Sequence, residues 1–237
     1  MLRRVRVSRI TPSEKKPRLT QEAIVDVALQ QMRASGYDGV TLRSIARALD
    51  TGPASLYAHV SGRAVLDQLV VDRIMSSVAL PAPDDTCWRA QVTQVLVGLL
   101  DAYRAHPGVA RAAIANVPSS SGSLRLADHL LGTILLGDVE PRDAAWAVDV
   151  LLLYVSAVSF EESVWAAREG ISLDELSQAP TLNDELETYF VGLAREHPHL
   201  SAHARLLASG TPQKRFEFGI AAILDGLRRR PAEPPQL

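Results

Sequence analysis

The stretch from Thr41 to Arg63, TLRSIARALDTGPASLYAHVSGR, predicts two short helices joined by a tight turn. Thr41 can cap the first helix, because its hydroxyl can accept a hydrogen bond from an otherwise unpaired backbone N–H. Pro53 suits the first turn of the second helix, where a missing N–H costs nothing. That second helix is too short to be stable alone, and its outward face suits the major groove of DNA. The sequence therefore predicts a helix–turn–helix element here.

Helices also flank this element, and no strand-like alternation appears anywhere after Leu80. We predict an all-α fold with an N-terminal three-helix helix-turn-helix domain and a C-terminal helical ligand-binding and dimerisation domain. The predicted boundaries are a flexible basic arm at 1–18, the DNA-binding domain at 19–79, the regulatory domain at 84–230 and a tail at 231–237. Predicted helices in the C-terminal part include 124–136, 141–169, 182–196 and 213–229.

Charge is distributed unevenly along a chain whose formal net charge is -2. Residues 1–75 hold 12 Lys and Arg against 7 Asp and Glu, whereas residues 76–237 hold 13 against 20. A basic front and an acidic rear indicate that only the front meets a polyanion. The arm at 1–18 is either a solvated tail or a segment that becomes ordered on DNA.

Several functional classes find no support in the sequence. Cys87 is the only cysteine, which excludes an internal disulfide and favours the reducing cytoplasm. The longest uncharged run is too short for the roughly 20 residues that a membrane span needs. No phosphate-binding loop, zinc-protease motif or nucleophile elbow occurs. We therefore expect a cytoplasmic protein that is not an enzyme, holds no metal or cofactor and does not bind a membrane.

The chain resembles the TetR family of transcriptional regulators over about residues 20–75. The match rests on residues at fixed spacing in and around the helix–turn–helix: Gly36, Tyr37, Thr41, Ile45, Ala46, Leu49, Leu56, Tyr57, His59, Val60, Arg63 and Leu66. Asp50 departs from it, since the family usually has glycine in this turn. Aspartate tolerates the left-handed backbone better than most residues, so we expect the turn to persist with modest strain.

The resemblance implies a role for each exposed residue of the element. Arg43 and the start of the second helix, Pro53, Ala54 and Ser55, would face bases, and arginine pairs well with guanine. The resemblance implies that four further residues bind DNA phosphates: Thr41, Tyr57, His59 and Arg63. Tyr57 and His59 could instead pack the element against the first helix.

The resemblance also implies a homodimer that binds a palindromic operator and is released by a small molecule. The long helix at 141–169 and the last helix would pair across a two-fold axis. Polar candidates for the ligand pocket are Gln94, Asn116 and His129, and Trp146 is a candidate wall. The tetracycline-repressor branch has a magnesium-linked histidine near the position of Ala112, which argues against tetracycline as the ligand.

A second function remains open on the sequence alone. A DNA-binding module without a small-molecule ligand, acting constitutively or through a protein partner, would present the same helix–turn–helix. The sequence names neither the operator nor the effector.

Overall fold

The computed structural model describes residues 19–115, 119–173, 175 and 181–228. The predicted arm, Asn116 and the predicted tail lie outside these ranges. Within them the chain forms helices and no strand element, so the predicted all-α fold is confirmed. The helices are α1 Gln21–Ser35, α2 Leu42–Ala48, α3 Pro53–Tyr57, α4 Arg63–Ser77, α5 Trp88–Arg104, α6 Ala110–Ala115, α7 Ser121–Leu135, α8 Pro141–Glu169, α9 Thr181–Gly192, α10 Pro198–Ala202, α11 Ala204–Ala208 and α12 Pro212–Asp225.

Capping residues set the start of the first helices. The Thr20 hydroxyl accepts a hydrogen bond from the Ala23 N–H at 3.2 Å and begins α1. Thr41 and Ser44 form a reciprocal capping box, with both N–H to Oγ distances at 3.0 Å, and begin α2. Pro53 occupies the first turn of α3, as predicted.

Three predicted helix boundaries in the C-terminal part were wrong by several residues. α7 begins at Ser121 rather than residue 124, because Ser120 and Ser123 form a second capping box. α9 ends at Gly192 and α12 ends at Asp225, whereas the predictions extended them to 196 and 229. Glycine is a poor helix residue, and Gly192 and Gly226 mark these ends.

The turn between α2 and α3 shows the backbone that the sequence predicts. Asp50 has a φ of 47°, one of two non-glycine residues with positive φ in the described ranges. A left-handed conformation costs an L-residue about 1–2 kcal/mol, and aspartate is among the residues that tolerate it best. The strain expected at Asp50 is therefore present in the backbone.

α5 forms the centre of the C-terminal core. Its inner face is buried along its whole length, from Val92 through Leu96 and Leu99 to Tyr103. α7, α8 and α12 pack around it. At its C-terminal end the Arg104 guanidinium binds the buried Glu162 carboxylate through two hydrogen bonds of 2.8 and 2.7 Å, which joins α5 to α8.

α8 is buried on one side only, although apolar residues occur on nearly every side of its central part. Ala144, Leu151 and Val155 face the core, while Trp146 is 64% exposed and Leu153 is 54% exposed. α8 is long and apolar enough to cross a membrane by length and composition alone, yet nearly half of its apolar stretch is buried inside the chain. It packs against α5, α6, α7 and α12, as expected for a core helix.

We expect Tyr103→Phe to leave stability unchanged or to raise it by about 1 kcal/mol, because the mutation removes a buried hydroxyl that has no partner. The Tyr103 side chain is fully buried, and among the described residues its hydroxyl forms no hydrogen bond of normal geometry, although the nearby Ser156 hydroxyl partly offsets the rise that burial causes in its pKa. Thermal unfolding should show a Tm that is equal or higher by about 2–4 °C.

Tyr37→Phe is the matched control, since the Tyr37 hydroxyl donates to the Asp67 carboxylate at 2.7 Å. This variant should lower the Tm. A large loss of stability in Tyr103→Phe would mean that its hydroxyl has a partner.

Candidate functional site

α3 presents a short exposed surface above two buried anchors. Leu56 and Val60 are fully buried and fix the helix to the unit below. The predicted base-facing residues Pro53, Ala54 and Ser55 are all exposed, and so is Tyr57. The geometry thus leaves one face of α3 free for a partner and uses the other for packing.

The remaining residues predicted for this surface differ in exposure. Arg43 on α2 and Thr41 at its N-cap are exposed. The Thr41 oxygen accepts the Ser44 N–H, so its hydroxyl proton remains available to donate. The His59 side chain is half-buried, and its carbonyl accepts a hydrogen bond of 2.8 Å from the Gln21 amide on α1. This part of the surface therefore rests on α1.

Arg63 lies in an internal network that the sequence did not reveal. Its guanidinium binds Asp67 at 2.7 Å and the Val40 carbonyl at 2.7 Å, and it stacks 4.0 Å from the centre of the Tyr37 ring. These contacts tie the start of α4 to the segment between α1 and α2. Its predicted phosphate contact stays a prediction, while the structure gives Arg63 a positioning role.

α4 is held against α7 by a close backbone approach at Gly122. A Cβ at this position would lie 2.2 Å from the Ser76 hydroxyl and 2.5 Å from the Asp72 carbonyl. The Gly122 N–H at the start of α7 donates to the Asp72 carboxylate. The negative charge of this carboxylate is also stabilised by the positive end of the α7 dipole. Arg125 then donates to the carbonyls of Ser76 and Val78 at 3.0 and 2.9 Å. A shift of α7 would therefore displace α4.

We expect Gly122→Ala to displace α4 from α7 and to lower stability by about 1–3 kcal/mol through overpacking. A new Cβ would meet the Asp72 backbone and the short Ser76 and Asp72 side chains, which have little room to move away. Differential scanning calorimetry would measure the loss.

Gly132→Ala on the same helix is the matched control, because a Cβ there meets no atom within 4 Å. Alanine favours helix over glycine, so this variant should be neutral or slightly more stable. Equal stabilities for the two variants would contradict the proposed close contact.

A second connection joins α1 to the segment that follows α5. The Arg33 Nε donates to Nε2 of the buried His106 at 3.0 Å, and His106 Nδ1 lies 2.9 Å from the Ala102 carbonyl. That arrangement requires the neutral tautomer with its proton on Nδ1. Nearby, the Tyr37 N–H donates to the Pro107 carbonyl at 3.0 Å. Protonation of His106 would remove the acceptor that Arg33 uses.

We expect stability to fall as the pH drops below about 6.5, the ordinary pKa of histidine, because His106 is held neutral in the folded chain. Burial lowers the pKa of His106, and the Arg33 charge lowers it further. The unfolded chain therefore binds the proton more readily, so stability is complete above this pH and is lost as the pH falls through the lowered pKa. His106→Gln should reduce this dependence in Tm measurements from pH 8 to 5.

His199→Gln is the control, since His199 is exposed on α10. An unchanged pH dependence in His106→Gln would assign the acid sensitivity to other groups, among them His129, whose pKa burial also lowers.

Two adjoining cavities lie beside this second connection. The larger has a volume of about 680 Å³ and the smaller about 450 Å³, and both are lined by Pro107, Ser163 and Ala167. The larger one reaches Arg33 on α1, and the smaller one reaches the turn at Tyr37. Both therefore open between the first helices and the C-terminal helices.

Of the residues predicted for a ligand pocket, the described ones, Gln94, His129 and Trp146, do not line these cavities. The side chains of Gln94 and Trp146 are exposed. His129 is partly buried, and its Nε2 has no partner among the described residues. The inner face of α5, the helix that carries Gln94, is filled by buried side chains. Helical periodicity identifies the apolar faces of helices, but it does not predict which of these faces line a cavity.

Arg33 and Ser163 are cavity residues that the sequence reasoning missed. The only available signal was His106-Pro107-Gly108, which predicts a helix stop and gives no hint of its contact with α1. Within the described ranges, no group of three His, Cys, Asp or Glu side chains is placed to hold a metal ion.

Comparisons with known proteins cover both parts of the chain. A family model described as "Bacterial regulatory proteins, tetR family" matches residues 24–66. Another, described as "Tetracyclin repressor-like, C-terminal domain", matches residues 80–230. The HTH-type transcriptional repressor DrrR1 of Streptomyces coeruleorubidus is 28% identical over 218 residues, which cover 90% of this chain and 78% of DrrR1.

Solved structures are similar over most of the chain. ActR of Streptomyces coelicolor in complex with actinorhodin is 33% identical with a TM-score of 0.77, over 89% of this chain and 95% of ActR. BioQ with its double-stranded DNA operator is 25% identical with a TM-score of 0.55, over 65% of this chain and 93% of BioQ.

Proposed function

Since the chain belongs to the TetR family of bacterial transcriptional regulators, we propose that it is a homodimeric repressor that binds a palindromic operator and is released by a small molecule. The observation that carries this proposal is the exposed face of α3 above the buried Leu56 and Val60. A regulator of this kind acts in the cytoplasm, where its DNA is, and carries out no chemical step.

The proposed DNA contacts follow the exposure of the side chains. Arg43, Pro53, Ala54 and Ser55 read bases, with the Arg43 guanidinium suited to guanine O6 and N7. Thr41, Tyr57 and His59 bind phosphates. Arg63 contributes mainly by holding α4 in place, since Asp67, Val40 and Tyr37 already occupy its guanidinium. The similarity to BioQ, which is solved with its operator, supports this use of the fold.

The exposed side of α8 supports a two-fold partner. Trp146, Val150 and Leu153 lie at i, i+4 and i+7, which places them on one stripe, and each is at least 47% exposed. Phe218 on α12, the last helix, is 75% exposed. Two copies that pair these helices form a four-helix bundle and bury the apolar surface.

Dimerisation then determines the kind of operator. A two-fold dimer places its two copies of α3 in successive major grooves, about 34–36 Å apart, so the operator has palindromic half-sites. Binding with both halves together multiplies the affinity of each half.

The effector part of the proposal rests on similarity and on the cavities between the two parts of the chain. ActR, which matches over most of both chains, is solved in complex with (S)-DNPA and with actinorhodin. The cavities lie where a ligand would contact both α1 and α8. A module that responds only to a protein partner would not need them, which favours the ligand-responsive form.

The test begins with selection of DNA from a random library, which should yield a palindrome. We expect Leu153→Glu to produce monomers and to weaken binding to that palindrome by about a hundredfold, because the second binding event is no longer intramolecular. Sedimentation velocity would measure the oligomeric state, and fluorescence anisotropy the affinity.

Leu206→Glu is the control, since Leu206 is 69% exposed on α11, which is not one of the two helices of the proposed interface. It should remain dimeric and bind DNA normally. Selected sequences without two-fold symmetry, or a dimeric Leu153→Glu protein, would refute the proposed assembly.

A further inference from the structure

The larger cavity is a half-open cleft with the volume of a small-molecule site. Its volume of about 680 Å³ lies within the usual range for ligand pockets. Much of its wall is apolar, formed by Ala105, Pro107, Ala166, Ala167, Ile171 and Leu173. Such a wall suits an apolar ligand body, and the few polar groups at its edge then decide the orientation and the charge of the ligand.

Arg33 is the polar group at this edge without a charged partner. The other arginine of the wall, Arg104, is neutralised by Glu162 at 2.7 Å and Asp101 at 3.3 Å. Arg33 donates only to the His106 imidazole, and no carboxylate of the described residues lies within ion-pair distance of it. Its positive charge is therefore available to an anion in the cavity.

Basic side chains also line the adjoining cavity. The two cavity walls together contain four arginines and two aspartates: Arg33, Arg104, Arg111, Arg168, Asp38 and Asp101. Arg111 is paired with Asp38 at 3.3 Å and Arg104 with two carboxylates, so among the described residues the wall arginines without an ion pair are Arg33 and Arg168. A positive edge on an apolar cavity selects for a ligand that carries both an apolar body and an acidic group.

We propose that this cavity binds an apolar organic acid whose carboxylate or sulfonate pairs with Arg33. Only the role of this ligand as an effector rests on the proposed function. The acid group is a stronger acceptor than a neutral imidazole, because both partners of the new hydrogen bond are charged. His106 uses only the Nε–H of Arg33, so an acid group that pairs with Nε and one Nη together displaces the imidazole. Since Arg33 lies on α1 and His106 follows α5, occupancy then loosens this connection between α1 and the C-terminal helices.

The test uses two fluorescent probes that differ in one group. 8-Anilinonaphthalene-1-sulfonate has an apolar ring system and a sulfonate, and N-phenyl-1-naphthylamine has the same rings without it. We expect the sulfonate to bind the wild-type protein with one site per chain and at least tenfold more tightly than the neutral amine. Fluorescence titration of the full-length protein without DNA measures both constants, so the result does not depend on operator binding.

Two variants locate the binding site. Arg33→Gln keeps a hydrogen-bond donor and removes the charge, so it should weaken sulfonate binding about tenfold and leave the neutral probe unchanged. Ala167→Phe fills the cavity wall and should weaken both probes. Ala90→Phe is the matched control, because Ala90 is exposed on α5 and lines neither cavity. Circular dichroism confirms that each variant is folded.

A separate measurement tests whether the ligand displaces Arg33 from His106. In nitrogen-15 spectra of histidine-labelled protein, the sulfonate should shift the His106 signal, identified by its loss in His106→Gln, and the neutral probe should not. Equal affinity for the two probes, no binding of either, or unchanged sulfonate affinity in Arg33→Gln would overturn the proposed site. An unshifted His106 signal at saturation would overturn the displacement.

A last measurement separates this site from the proposed function. The sulfonate should lower the affinity of the wild-type protein for its selected operator, and Arg33→Gln should reduce that effect. If the probe binds as expected but leaves DNA affinity unchanged, the site stands and its role as effector site is refuted. If no DNA is bound at all, the proposed function fails while the titrations still decide the site.

Discussion

The contact between α4 and α7 at Gly122 is the constraint on which the rest of the structure depends. α4 belongs to both parts of the chain: Arg63 at its start fixes it to the first helices, and Asp72 near its end receives the N-terminus of α7. A side chain at Gly122 would separate these helices. The position of α3, the helix proposed to contact DNA, is therefore set by packing far from its exposed face.

The second connection, through Arg33 and His106, differs in kind from the first. The α4–α7 contact is a close steric fit that has one arrangement, whereas a hydrogen bond to a neutral imidazole can be exchanged for a better acceptor. A rigid connection beside an exchangeable one allows the first helices to tilt about α4. In the proposed dimer, such a tilt would change the separation of the two copies of α3, and binding to a palindromic operator depends on that separation.

The sequence predicted the first four helices from local signals, whereas the cavities depend on contacts between residues far apart in the chain. Thr20, Thr41 and Pro53 act through neighbours within four residues, so their effects can be inferred from the sequence. Arg33 and His106 are 73 residues apart, and only the fold brings them together. Trp146 shows the other limit, because its apolar character is evident but not whether it faces the core or a second chain.

The exposed apolar side chains of α8 and α12 affect how the stability of the protein depends on its concentration. An isolated chain leaves Trp146, Val150, Leu153 and Phe218 in water, and the proposed dimer would cover them, which would couple folding to association. Stability would then rise with protein concentration, and newly made chains would be most vulnerable to aggregation and proteolysis while they are scarce. The amount of the proposed dimeric repressor should therefore depend more steeply than linearly on the rate of its synthesis.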